Sequence, residues 1–171
     1  DGRVLIAGGC ATDGGCGASL ASVEIYDPVR NAWDTLSPLN QGREKHIAVL
    51  LADGRVLVSG GYGSATLSST EIWNPRTQTW TTVAPMTSTR RRHRAEILPD
   101  GRVLVAGGFS GGVSTETSTS EVYDPATNVW SVAGSFPGPR QHHSLTRLLD
   151  GRVFLFGGAD EGNRLATANV W

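Results

Sequence analysis

The sequence predicts an all-β protein: a β-propeller of four-stranded antiparallel blades, incomplete at about 3.5 blades and 14 strands. Three observations carry this expectation. Asp-Gly-Arg-Val begins at Asp1, Asp53, Asp100 and Asp150, so successive copies lie 52, 47 and 50 residues apart. Each copy runs through an apolar stretch into a glycine pair: Gly8-Gly9, Gly60-Gly61, Gly107-Gly108 and Gly157-Gly158. Strand-length apolar runs alternate with turn residues along the whole chain, with no helical periodicity. A period of about fifty residues holding four such runs marks a radially repeated meander, not a single core.

The second unit shows the elements in order. Ile47-Ala-Val-Leu-Leu51 is an apolar run of strand length, and Asp53-Gly54 after it predicts a tight hairpin whose central residues take positive φ. Val56-Leu57-Val58 is a second strand, stopped by Gly60-Gly61. Glu71-Ile72-Trp73 is a third, stopped by Asn74-Pro75 because proline cannot donate to a ladder. Trp80-Thr81-Thr82-Val83 is the fourth, closed by Pro85. The first and last units lack one strand each. Unit boundaries are expected at 1–38, 39–86, 87–138 and 139–171, with the chain cut out of phase as in a fragment of a longer propeller.

The same grammar recurs outside the second unit. Glu24-Ile25-Tyr26-Asp27-Pro28 and Glu121-Val122-Tyr123-Asp124-Pro125 match Glu71 to Pro75, with Trp33, Trp80 and Trp130 six residues past the Asp or Asn. These residues resemble the kelch repeat, and the resemblance covers essentially the whole chain. It implies blades whose first strand lies nearest the axis and whose fourth lies outermost. An aromatic usually follows the glycine pair; Tyr62 and Phe109 comply, while Cys10 and Ala159 depart. The arginine-rich Asp-Gly-Arg-Val grammar also looks like that of bacterial secreted or cell-surface kelch-like proteins.

Bulk composition excludes some functions. The net charge is −1, and the single basic run is not an extended stripe, which argues against nucleic-acid binding. No apolar run approaches the roughly 18–20 residues that span a bilayer as a helix. Unclosed end blades would expose apolar sheet faces, so self-association is expected of the chain alone.

Repetition separates scaffold from site. The glycine pairs, third-strand glutamates and recurring tryptophans stand in equivalent positions and read as structural. Arg43/His46, Arg90/His93 and Arg140/His143 repeat as Arg-x-x-His, serving either structure or ligand contact at the channel mouth. Equivalent histidines on neighbouring blades would stand too far apart for ~2.0–2.1 Å bonds to one metal ion. Between the glycine pair and the third-strand glutamate lie 14, 9 and 12 residues (10–23, 62–70 and 109–120), and the remainder of each repeat is always 38 residues. All length variation therefore falls in one loop per blade, at the end that also carries the inter-blade links. Loops on a rigid scaffold are where binding sits.

On that rim the expected ligand-binding residues are Arg43, Arg90, Arg91, Arg92, Arg94, Arg140 and His142. Guanidinium groups suit a carboxylate, a phosphate or an acidic protein segment. Arg94 and Glu96 share one side of an innermost strand, as a polar channel wall or a buried ion pair. Asp160-Glu161 reads as a solvated turn or a cation site. Cys10 and Cys16 flank a glycine-rich stretch and form either a loop disulfide, implying an oxidising compartment, or two free thiols.

Gly108-Phe-Ser-Gly-Gly112 fits the nucleophile-elbow pattern but lacks its strand–turn–helix context. No catalytic residue and no cofactor is assigned. Some copper-radical oxidases resembling galactose oxidase use kelch-type propellers, and their site needs a cysteine-crosslinked tyrosine, a second tyrosine and two histidines. No set here matches it, so that alternative requires residues outside this chain. The reading is a non-catalytic scaffold that recognises a protein or acidic ligand through one rim.

Overall fold

The computed structural model describes residues 2–11, 18–111 and 115–171. It is all-β among the described residues. The first sheet orders β1 (Val4–Ala7), β2 (Val23–Asp27) and β3 (Ala32–Leu36). The second orders β4 (Ile47–Leu50), β5 (Val56–Ser59), β6 (Thr70–Asn74) and β7 (Thr79–Val83). The third unit comprises β8 (Arg94–Ile97), β9 (Val103–Ala106), a short ribbon of β10 (Phe109–Ser110) and β11 (Thr115–Glu116), then β12 (Thr119–Asp124) and β13 (Val129–Ser135). The fourth has β14 (Ser144–Arg147), β15 (Val153–Phe156), a second ribbon of β16 (Ala159–Asp160) and β17 (Asn163–Arg164), and β18 (Ala168–Val170). Every pairing is antiparallel between neighbours, and the first strand of each complete sheet is innermost, with β8 touching both β4 and β14. The two ribbons are additions that the Ser/Thr- and Gly-rich loop sequences did not announce.

The core lies between blades, so the middle strands are apolar on both faces. Val58 joins Val23, Leu39, Trp73 and Trp80 on the side of the first blade, while its neighbour Leu57 joins Ile47, Val103, Val105 and Trp130 on the side of the third. Successive side chains point to opposite faces of a strand, so one Val-Leu-Val run feeds two interfaces. β9 is buried at every position, whereas Val4 and Ile6 on β1 are each 51% exposed because no blade covers that face. The tryptophans repeat one bolt: Trp80 Nε1 donates to the Ser37 carbonyl and Trp130 Nε1 to the Ala84 carbonyl, each 3.0 Å away in the preceding blade.

The Asp-Gly turns differ from expectation. Gly54 has φ 85° but Asp53 is not left-handed; Gly54 N–H bonds the Leu51 carbonyl and Leu51 N–H the Arg55 carbonyl. This is the longer hairpin in which a turn precedes one left-handed glycine. The Asp53 carboxylate holds it by accepting from Arg55 N–H and Nε at 3.0 and 2.7 Å, an arrangement repeated at Asp100/Arg102 and Asp150/Arg152.

The glycine pair has a steric cause. A Cβ on Gly60 would sit 2.5 Å from the Arg90 carbonyl oxygen and 2.7 Å from the His93 ring, and one on Gly61 would sit 2.5 Å from the Glu44 oxygen. Both residues also have positive φ. The links before and after this blade pass directly over its glycines, and only glycine leaves room.

Candidate functional site

Each link carries an arginine that joins two blades. Arg43 N–H and C=O bond to Leu20 and Gly9 of the first blade, while its guanidinium donates into the second, to the Gly60 and Ser69 carbonyls and to Glu71 Oε1 at 2.7 Å. Glu71 in turn accepts the Asn40 and Gln41 N–H groups of the same link. Arg90 repeats this with Gly107, Thr119 and Glu121, whose carboxylate accepts Thr87 and Ser88 N–H. Both pairs are buried, with side-chain exposures of 0% and 1%. Arg140 is buried too, but its donors reach only Gly138, Gly157, Thr167 and Pro137 oxygens. Asn169 occupies the register position of Glu71 and Glu121 there, opposite Leu155.

This corrects the expectation that Arg43, Arg90 and Arg140 meet a ligand. Their guanidinium groups lie inside the junctions and donate to protein oxygens there, and with exposures of 0–1% they are closed to a ligand at the surface; Arg43 Nε alone among them is buried without a partner. The link histidines are sequestered as well. Burial pushes the His93 imidazole down to about 3, and His46 and His143 to about 4, with the link arginines adding to each shift.

The rim itself is built as expected, with loops and links at one end. Backbone bridges join Glu44 to Tyr62, Arg91 to Phe109 and Gln141 to Ala159, so each link residue after the buried arginine pairs with the residue after a glycine pair. The aromatic positions then organise cations. The Arg91 guanidinium lies 5.2 Å from the Tyr62 ring centre and 5.0 Å from that of Phe109. Lys45 lies 5.8 Å over Tyr62 and Arg92 5.6 Å over Phe109. Where Ala159 replaces the aromatic, the ladder ends.

The next link position has a second peculiarity. Lys45, Arg92 and His142 are equivalent and have φ of 54°, 55° and 53°. Left-handed backbone costs a bulky side chain about 1–2 kcal/mol, and the equivalent left-handed turn positions elsewhere hold Asn31, Gln78 and Asn128. Here the neighbours fix it: Arg92 N–H donates to the Lys45 carbonyl at 2.9 Å.

Arg92 Nη1 donates to Gln141 Oε1 at 3.0 Å, and Arg94 Nε to the His143 carbonyl at 3.0 Å. The two arginines thus hold the residues on either side of His142, which is exposed. His142 is pushed below the ordinary histidine range by partial burial and by Arg92 and Arg94. Arg94 is exposed, Glu96 is half-buried, and no ion pair joins them among the described residues.

Other expected features are placed simply. Asp160-Glu161 is the turn of the β16–β17 ribbon, with Glu161 at φ 47°. Among the described residues no three His, Cys, Asp or Glu side chains converge as a metal site. Ser110 of the Gly-x-Ser-x-Gly run sits in the β10–β11 ribbon, with no helix after it among the described residues. Tyr26 and Tyr123 donate to Asn31 and Asn128 as repeat elements. Cys10 bridges Ser19 through its backbone, and Cys16 lies outside the described residues, so the proposed disulfide falls there. The feature that sequence reasoning missed is the Arg–Glu clamp, since its members were read separately. The signal was available: both residues recur in register in two consecutive units.

The family model described as the kelch motif matches residues 1–40, 45–87 and 91–137. A search of curated proteins found no match.

Proposed function

The chain belongs to the kelch-repeat family, and on that premise we propose that it is a non-catalytic interaction scaffold that recognises a protein or other acidic ligand through one rim. Kelch repeats are commonly protein-interaction scaffolds. The observation that carries the reading is the division of the repeat. Its fixed 38 residues hold the strand, turn and link sequences, while all length variation falls in the segments 10–23, 62–70 and 109–120. The residues after three of the glycine pairs, Tyr62, Phe109 and Ala159, each bridge to an adjoining link. Among the described residues, Arg92 and Arg94 bond to neutral oxygens only. Charge-assisted hydrogen bonds from preorganised guanidinium groups are the mechanism.

Binding partners captured by the intact protein, identified by crosslinking and mass spectrometry, should be lost in an R92A/R94A variant with an unchanged melting temperature. Arg90 is left intact because its removal would open a blade junction. Equal recovery of every partner by the variant would defeat the proposal, as would turnover of a substrate with no partner bound.

A further inference from the structure

We infer that the channel mouth around His142 holds a compact oxyanion, gripped between Arg92 and Arg94. The inference rests on the rim reading above and gives it a chemical ligand. The two guanidinium groups come from one blade's link and innermost strand, and both reach across to the next link. Arg92 donates one Nη1 bond to Gln141 and Arg94 one Nε bond to the His143 carbonyl, and neither has a carboxylate within ion-pair distance among the described residues. Each guanidinium has five N–H donors in a rigid fork and makes one of these bonds here, so each keeps donors for a ligand.

This link lacks the glutamate that the repeat supplies elsewhere. Arg140, buried two residues before His142, has Asn169 at that position and meets backbone and threonine oxygens instead, with Asp160 the one acid that offsets its charge. Of the nearby acids, Glu116 accepts from the Gln141 amide at 3.1 Å, and Glu96 lies one pleat further along β8. Lys45, at the corresponding position one blade back, is neutralised by Glu44 at 2.6 Å and does not add to the excess. By contrast, Arg30, Arg43, Arg55, Arg90, Arg102 and Arg152 all have carboxylate partners.

His142 completes the arrangement. Its backbone is held left-handed between two bonded neighbours, which fixes where the imidazole starts, and the ring is exposed to accept a ligand. Partial burial and the cations Arg92 and Arg94 lower its pKa. The other charged groups near this link are Glu116, bonded to Gln141, Asp160, which follows the residue bridged to Gln141, Glu96 on β8, and the buried Arg140. A bound oxyanion would reverse the local sign and let the imidazole share its proton with the ligand. The oxygens fit equally a free phosphate or an Asp or Glu side chain on a partner's surface, and these sources are separable.

The test follows the His142 imidazole by NMR in the intact protein while inorganic phosphate, or a short all-glutamate peptide, is added. The expected result is a saturable shift of that ring, a raised midpoint in its titration, and at least tenfold weaker binding in R92Q/R94Q. A phosphate response at least as tight as the peptide's supports the free anion as source; a tighter peptide supports an acidic side chain. H142Q, which leaves both arginines in place and is followed through the backbone amide shifts of Gln141 and His143, should weaken binding severalfold and guards against misfolding of the double variant. No His142 response to either probe, or equal affinity in all three proteins, overturns the inference. Partner loss in R92A/R94A without any phosphate or peptide response would sink this site while leaving the scaffold reading intact.

Discussion

Arg90 and Arg140 occupy the same position in successive links, are both buried and donate to equivalent pairs of backbone carbonyls, Gly107 and Thr119 or Gly157 and Thr167, yet only Arg90 meets a carboxylate. Two changes separate the junctions. Asn169 stands in the place of Glu121, and Pro137 stands in the place of Thr87, whose N–H the glutamate accepts. The proline has no N–H, so the loss of the acceptor is matched by loss of a donor. Arg140 turns instead to the Pro137 carbonyl at 2.7 Å, and the Asn169 Nδ2 is left buried without a partner. Burial works against both guanidinium charges; Glu121 offsets it at Arg90, whereas only Asp160 helps at Arg140. A repeated fold therefore tolerates chemically unequal seams, and the seam between the third and fourth blades is the weaker.

The sharpest way to break this contrast is Glu121→Ala, which turns the second seam into a worse copy of the third. It strands Arg90 and two link N–H groups, and should cost about 3–5 kcal/mol in denaturant unfolding. A loss below about 1 kcal/mol would show that the clamp contributes little.

Acid should act next. His93, His46 and His143 are held neutral in the fold with pKa of about 3 to 4, while an unfolded histidine takes up its proton near 6.5. Stability from these groups is thus fully present above about pH 6.5, falls as pH drops, and levels off below the folded values. His93 alone should account for about 2 kcal/mol of loss at pH 5. Hydrogen exchange across pH 7 to 4.5 should show the Arg140 seam opening before the Arg90 seam. His93→Gln should flatten the pH dependence, and an unchanged slope would contradict the assignment.

A smaller effect comes from repairing the third seam. Asn169→Glu with Pro137→Thr restores acceptor and donor together and should stabilise by about 1.5 kcal/mol, with Asn169→Glu alone giving less. Equal gains from both would mean that the link donor does not matter. The smallest expected change is Arg91→Ala, which empties the gap between Tyr62 and Phe109 and should cost about 1 kcal/mol by thermal melting.

Sequence periodicity revealed the sheets because every blade needs the same turn aspartates, glycine pairs and apolar middle strand. The constant 38-residue remainder confined the length changes to one loop in each unit. The partnership of Arg43 with Glu71 and of Arg90 with Glu121 was hidden because the members lie 28 and 31 residues apart with a loop of changing length between them. Their burial was hidden as well, since arginine composition alone reads as surface. The left-handed link positions had no signal either, for Lys45, Arg92 and His142 are not residues that advertise positive φ. At Arg92 a backbone bond to the Lys45 carbonyl of the preceding link accompanies it.

A guanidinium that reaches forward while its own carbonyl reaches back makes the transferable module a link together with the sheet that follows it. Anyone recombining such arrays should cut at the start of the link, ahead of Asn40 or Thr87, rather than at the first β-residue. A splice between the arginine and that β-residue would leave a charge facing the wrong neighbour, and the hybrid would fail at the seam even with every sheet intact.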